Sequence, residues 1–403
     1  MSQQVGTVDA DALRGEPAFA EEFLVRILSS LVATESVNPG VYEASMAKRV
    51  AEWLEGTPAE IRFVESLPDR PSVAAVLKGS GDGPRLVLNG HMDTVPIDDP
   101  ELWSAEPFGA EVRNGFLYGR GACDMKAGLT VQVAVAHYLA KHHDRLRGSL
   151  VLHFAVGEEC AEPGTLSLIE AGFTGDYGIT TEPTELRVAT AERGLAFYRI
   201  RVKGRSIHAS RAHLGLNPIP RVRAVLDVIE AYEREVKGRK HELLPGGSCT
   251  PTILRAGVKE NAVPDYCDVV VDRRLLPGET VDGEMQALRS RLEEIRKGDG
   301  EFEFEISKFP NFFEPAEIAP DSPFAKRVLD TVEEVTGNRT EIYGTPYASD
   351  VRNLVNDAGM EAVTFGPGNV AECHCADERV SLTQVRDAAL VTAKVASDLL
   401  MSE

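Results

Sequence analysis

Two side chains able to serve one metal ion stand two residues apart in Leu86-Val87-Leu88-Asn89-Gly90-His91-Met92-Asp93. The apolar run reads as a buried strand. Positions i and i+2 of an extended segment point the same way, so His91 and Asp93 can share a site at a strand's C-terminal edge, where open α/β sheets bind ligands. A neutral imidazole that binds metal through one nitrogen needs a partner for its other N–H, and the Asp93 carboxylate can supply it. A second buried strand, Leu152 to Val156, runs through Gly157 into the adjacent carboxylates Glu158 and Glu159. Neighbours on an extended backbone diverge, so one can ligate a metal while the other takes a proton from water. Metal-assisted hydrolysis requires that division of labour.

Further candidates occupy comparable positions. Asp124 closes the Gly-rich segment Tyr118–Cys123 just before a helical pattern at Lys126–His142; in isolation it reads as an N-cap. Gly119 and Gly121 do not make a dinucleotide fingerprint, because Asp124 holds the third glycine's place and no strand of the right length feeds the turn. Glu182 ends the apolar run Tyr177–Thr181, and His374 follows the turn Phe365-Gly366-Pro367-Gly368. Imidazole and carboxylate donors suit zinc and its neighbours, and one shared carboxylate can bridge two ions about 3.5–4 Å apart.

Helical spacing at Glu21–Leu31 and Met46–Leu54 opens the chain, with Ser36–Gly40 as the turn between. Short apolar runs at Ser72–Leu77, Arg85–Leu88, Ser149–Ala155 and Tyr177–Thr180 read as strands. Strands alternating with helices predict an α/β/α sandwich around a largely parallel sheet. Between Glu192 and Lys308 the texture changes. Strands at Ala196–Val202, Asp268–Asp272 and Glu301–Ser307, with room for one more near Thr252–Leu254, alternate with helices at Ile219–Val236 and Asp282–Lys297. That order describes an inserted α+β, ferredoxin-like domain with helices on one sheet face. Helical Pro323–Val335, strand Ala362–Phe365 and helical Leu382–Leu400 then resume the first style. The expected organisation is a catalytic domain in two parts, 1–191 and 309–403, interrupted by an insertion at 192–308.

Of 403 residues, 43% are apolar and 26% charged, which fits a globular chain. Lys+Arg number 43 against 63 Asp+Glu, a formal charge of −20 that repels nucleic acid and anionic membrane surfaces. No run approaches the roughly 18 apolar residues of a membrane span, and residues 1–22 show no secretory pattern. Cys123, Cys160, Cys249, Cys267, Cys373 and Cys375 form no C-x-x-C pair, so free thiols in a reducing cytoplasm are expected.

Taken together, Gly90–Val95, Gly119–Gly128, Gly157–Thr165, Thr181–Thr184 and Phe365–Glu378 match, in order and over nearly the whole chain, a known pattern. The sequence resembles the dizinc family of acetylornithine deacetylase, succinyl-diaminopimelate desuccinylase, aminoacylase and glutamate carboxypeptidase. The resemblance implies two divalent ions per chain, zinc or cobalt, with His91 and Glu182 on one, Glu159 and His374 on the other, and Asp124 bridging both. It makes Asp93 the orienter of His91 and Glu158 the general base. The inserted domain becomes a lid that mediates homodimerisation, and its Gly204–Ser210 segment carries His208 as the donor to the scissile carbonyl, often in the other subunit. Asn261 and Arg274 become contacts to the substrate's carboxylate side, while Arg273, on the opposite strand face, is read as solvated.

The implied activity is hydrolysis of the amide bond of a small N-acyl amino acid or similar compound. A dipeptidase or carboxypeptidase, sharing every metal residue, is the alternative. Cys123, Cys373 and Cys375 depart from the family's small or polar residues at those positions, which points to sensitivity toward oxidation or heavy metals.

Overall fold

The computed structural model describes residues 9–401, which divide into two compact units. The first comprises the chain up to Thr190, Glu317–Tyr343 and Ser349 onward; the second comprises Ala191–Ala316 with Gly344–Ala348.

The first unit is built on the strands Glu60–Leu67, Arg70–Lys78, Ser149–Ala155, Arg85–His91, Tyr177–Thr180 and Glu361–Thr364, adjacent in that order. The last four pair in parallel, but the first two add an antiparallel edge. The sheet is therefore mixed rather than largely parallel. The Glu60–Leu67 strand escaped the sequence reading because its Glu60, Arg62 and Glu65 suit an exposed edge strand and leave no apolar run. Only Pro68 and Asp69 separate it from Arg70–Lys78, a connection short enough to force an antiparallel hairpin.

Side chains alternate between the sheet's two faces, as the period of two requires. Leu86, Leu88, Leu150 and Leu152 join the large core, whereas Val87 and Val151 join a smaller cluster with Val351, Leu354 and Ala362. The helix Ala127–Lys141 is buried almost all round, and its Leu129, Val133 and Leu139 share the large core with Val385 and Val395 of the helix Leu382–Leu400. By the same alternation His91 falls on the face of Val87, at the end of a strand whose last six residues are all buried.

The second unit is a four-stranded antiparallel sheet in the order Ser248–Ala256, Tyr266–Leu275, Gly194–Lys203, Phe304–Lys308. With the helix Pro218–Gly238 following the strand Gly194–Lys203 and the helix Val281–Gly298 following the strand Tyr266–Leu275, this is the ferredoxin-like arrangement. Tyr198, Ile200, Val269 and Val271 pack with Val225, Ile229, Tyr232, Leu288 and Leu292 into one core. Arg273 contradicts its expected solvation: it is fully buried and bonds Glu279 and Glu284 at 2.7 and 2.5 Å. Those carboxylates come from the turn and helix that follow the strand, so a burial site for the guanidinium is assembled only on folding.

His153, in the Ser149–Ala155 strand, is fully buried. Its Nε2 donates to the Phe173 carbonyl at 2.7 Å, while Nδ1 has no hydrogen-bond partner among the described residues. Burial accordingly pushes the imidazole down to about 4 from 6.5. Because the unfolded chain takes up a proton that the folded one refuses, this contribution is complete above pH 6.5 and is lost as pH falls toward 4. The loss amounts to about 3 kcal/mol at most. Urea unfolding at stepped pH is expected to show this slope in the native protein and a flatter one in His153→Gln.

Candidate metal centre

In the first unit, the ends of the strands Arg85–His91, Ser149–Ala155 and Tyr177–Thr180 meet the segments that carry Asp124 and His374, and the ionisable residues come together there. His91 Nε2 lies 3.1 Å from Asp124 Oδ1 and 3.5 Å from Glu182 Oε1. His374 Nε2 lies 3.2 Å from Asp124 Oδ2 and 3.3 Å from Glu159. Asp124 thus turns one oxygen toward each histidine, and ligand atoms of His91, Asp124 and Glu159 fall within 4.8 Å of one another.

Each side chain is placed by a local device. His91 sends Nδ1 toward the Asp93 carbonyl at 3.0 Å, with the Asp93 carboxylate at 3.4 Å, so the carbonyl and one carboxylate oxygen of that residue face the imidazole. The same carboxylate accepts the amides of Glu158 at 3.1 Å and Glu159 at 3.2 Å. Glu158 and Glu159 do not continue an extended strand. They lie on a short 3-10 turn, Glu158–Cys160, entered through Gly157 at φ 77°, a left-handed conformation that glycine adopts freely. Asp124 is no N-cap either: Lys126 occupies that position on the Ala127–Lys141 helix, without a side-chain cap bond.

Electrostatics follow from the crowding. Burial and neighbouring carboxylates push Glu158 and Glu182 well above the usual carboxylate range despite His91, and they push Glu159 up to about 7. Burial would raise Asp124 also, but hydrogen bonds from His374 and His91 hold it low. Hydrogen bonds to Asp124 and Glu159 raise His374 to about 11. For His91, burial opposes the charge, yet Glu182, Asp124 and Asp93 outweigh it. A donor set of two imidazoles and several mutually repelling carboxylates fits divalent cations, which relieve that repulsion and match the ligand chemistry of zinc and its neighbours.

A supporting layer was not legible as such. Glu378 is fully buried, accepts the amides of Cys123 and Asp124 at 3.0 Å each, and pairs with buried Arg120 at 2.6 Å. Behind the 158–160 turn, Glu43 accepts the Gly157 amide at 3.0 Å and is gripped at both oxygens by Arg70, which also bonds Glu162. Asn38 donates to Asp93 at 2.9 Å and Glu162 at 3.1 Å. Buried Asp350 accepts from the Thr165 hydroxyl at 2.6 Å, and Thr165 accepts from Asn89 on the His91 strand at 2.8 Å. The only sequence signal for most of these was a charged or polar residue inside or beside a matching block.

The remaining candidates belong to the second unit. His208 pairs with Ala262 in a two-stranded ribbon, which sets Asn261 beside it: the Ala209 amide donates to the Asn261 carbonyl at 2.8 Å. The Ser210 amide donates to His208 Nδ1 at 3.2 Å, so a neutral ring carries its hydrogen on Nε2. Arg274 is occupied by Asp272 through two bonds of 2.9 and 3.1 Å. Among the described residues the metal-ligand cluster contains no cysteine, and no helix is long and apolar enough to cross a membrane.

Known proteins resemble this chain over most of its length. Succinyl-diaminopimelate desuccinylase from Azoarcus sp. (strain BH72) is 31% identical over 371 residues, covering 88% of this chain and 92% of that protein. N-formyl-4-amino-5-aminomethyl-2-methylpyrimidine deformylase from Bacillus subtilis (strain 168) is 25% identical over 395 residues, covering 91% and 92%. The fold matches an M20 family metallo-carboxypeptidase from Sulfolobus solfataricus with a TM-score of 0.73 at 20% identity, over 94% of this chain and 99% of that one. The model of peptidase family M20/M25/M40 matches residues 87–398, which include every residue of the metal-ligand cluster, and the chain belongs to that family of metal-dependent hydrolases.

Proposed function

We propose that this chain is a cytoplasmic, homodimeric deacylase that hydrolyses the amide bond of a small N-acylated amino acid or related compound with two divalent ions, zinc or cobalt. The observation that carries this reading is Asp124, with one oxygen toward each histidine, while Glu158 lies buried within electrostatic reach of His91 and Glu182 and outside the ligand cluster. His91 and Glu182 would hold one ion, Glu159 and His374 the other, with Asp124 shared. Bound there, the ions supply Lewis acidity and lower the pKa of water.

This chain's residues do the rest. Asp93 orients His91 and, through its grip on two amides, sets the angle between Glu158 and Glu159. Glu158, a carboxylate raised by burial, takes the proton of the attacking water and passes it to the departing amine nitrogen. The Nε2–H of His208 donates to the carbonyl oxygen as charge develops there. Asn261 and Arg274 bind the substrate's carboxylate side, the planar guanidinium of Arg274 exchanging its Asp272 partner for the substrate's carboxylate. The relative at 31% identity is named for desuccinylation and favours the deacylase over the dipeptidase reading. Screening zinc- and cobalt-loaded protein against N-acyl amino acids and dipeptides decides between them: turnover confined to dipeptides with a free α-amine overturns the proposal.

Three outcomes are expected. Elemental analysis should find two divalent ions per chain, and exhaustive chelation should abolish turnover until zinc or cobalt is returned. Glu158→Gln should keep both ions while kcat falls about 10²–10⁴-fold, whereas Glu159→Gln should weaken ion binding, as isothermal titration can read. His208→Ala should lower kcat about 10²–10³-fold with ion content unchanged. If the histidine acts across a dimer, mixing His208→Ala with Glu158→Gln chains should restore activity in the isolated heterodimer.

A further inference from the structure

Cys123 and Cys373 are 250 residues apart in sequence, yet the Cys373 thiol donates to the Cys123 sulfur at 3.5 Å. Each immediately precedes a residue of the centre, Asp124 or His374, so the thiol pair lies one position behind the Asp124–His374 contact of 3.2 Å. Room for the pair comes from Gly368, where a Cβ would stand 2.5 Å from the Cys123 sulfur. Both thiols also point to the Asn369 carbonyl, at 3.4 and 3.7 Å. We propose that Cys123 and Cys373 form a site of reversible intramolecular disulfide formation, taken by two-electron thiol oxidants such as peroxides, whose closure draws His374 out of the centre.

The step balances without any other reagent. The Cys373 sulfur attacks one oxygen of hydrogen peroxide, the O–O bond breaks, and one water leaves a sulfenic acid behind. The Cys123 sulfur then displaces that hydroxyl as the second water. Two thiols are oxidised, one peroxide is reduced, and both thiol hydrogens end in water.

Joining the sulfurs shortens their separation from 3.5 Å to about 2.05 Å, and the two sides yield unequally. Cys123 is buried, and Glu378, paired with Arg120, holds the Cys123 and Asp124 amides. Cys373 is only partly buried, at the end of the short turn Val370–Glu372, and His374 follows with φ 60° and a half-exposed side chain. The softer segment moves. A displacement of about an ångström takes an imidazole out of hydrogen-bond or ligand distance. Linkage then requires the reverse as well: whatever holds His374 in place opposes the disulfide.

The ion-dependent half of this inference rests on the proposed metal centre, and the covalent half does not. Full-length protein, as isolated and after chelation, is treated with hydrogen peroxide, alkylated and mapped by mass spectrometry without reduction. Cys375→Ser serves as background, because Cys375 is exposed and shares a tryptic peptide with Cys373. The expected product links Gly121–Lys126 to the Cys373 peptide, is absent from Cys123→Ser and Cys373→Ser, and reverts with dithiothreitol. Its formation should be at least tenfold faster after chelation, and the linked protein should bind zinc at least tenfold more weakly. Oxidation that stops at sulfinic acid, or joins two chains, overturns the disulfide site. A Cys123–Cys373 link that leaves zinc affinity unchanged overturns the displacement of His374. A protein that links as described but cleaves no amide overturns the functional reading and leaves the disulfide site standing.

Discussion

The structure depends on holding like charges together. Asp93, Asp124, Glu158, Glu182 and Asp350 are buried or nearly so around the sealed imidazole of His91, with Glu159 and His374 closing the cluster. In a medium less polar than water, carboxylates a few ångströms apart repel by several kcal/mol, and the raised Glu158, Glu159 and Glu182 express that repulsion. A fold tolerates such a cluster where hydrophobic burial elsewhere is ample and a proton or a cation offsets the repulsion. The large core behind the sheet supplies the first condition, and the donor chemistry points to the second.

Two buried arginines reconcile this cluster with a chain of net charge −20. Arg70 ties Glu43 and Glu162 behind the 158–160 turn, and Arg120 ties Glu378 behind the Asp124 segment. Neither arginine touches the imidazoles. Each neutralises a carboxylate that in turn holds backbone amides, so the cations stiffen the loops without occupying the centre. Asp93 joins the two levels, since its carbonyl and carboxylate face His91 while the carboxylate also holds the amides of Glu158 and Glu159. Moving Asp93 therefore displaces a histidine and both glutamates at once.

Much of this was legible because strand ends punctuate a sequence strongly. Arg85–His91, Ser149–Ala155 and Tyr177–Thr180 are buried runs stopped by chemistry-bearing residues, and in the ferredoxin-like unit period-two and helical patterns succeed one another clearly. What stayed hidden has physical reasons. Glu60–Leu67 carries an edge strand's charges. The turn at Glu158 is set by the left-handed Gly157 rather than by any propensity of the glutamates. Arg273 could not be read as buried, because its partners Glu279 and Glu284 look like ordinary solvated acids before the helix folds back. Glu378 and Glu43 act through backbone amides, and Asn38 through carboxylates far away in sequence, roles that leave no residue pattern.

The two histidines differ in one respect that shapes traffic through the centre. The His91 side chain is 1% exposed and that of His374 is 50% exposed. One wall is thus laid down with the sheet and sealed, while the other is carried by a turn at the surface. A reagent arriving from solvent therefore meets the imidazole of His374 before that of His91.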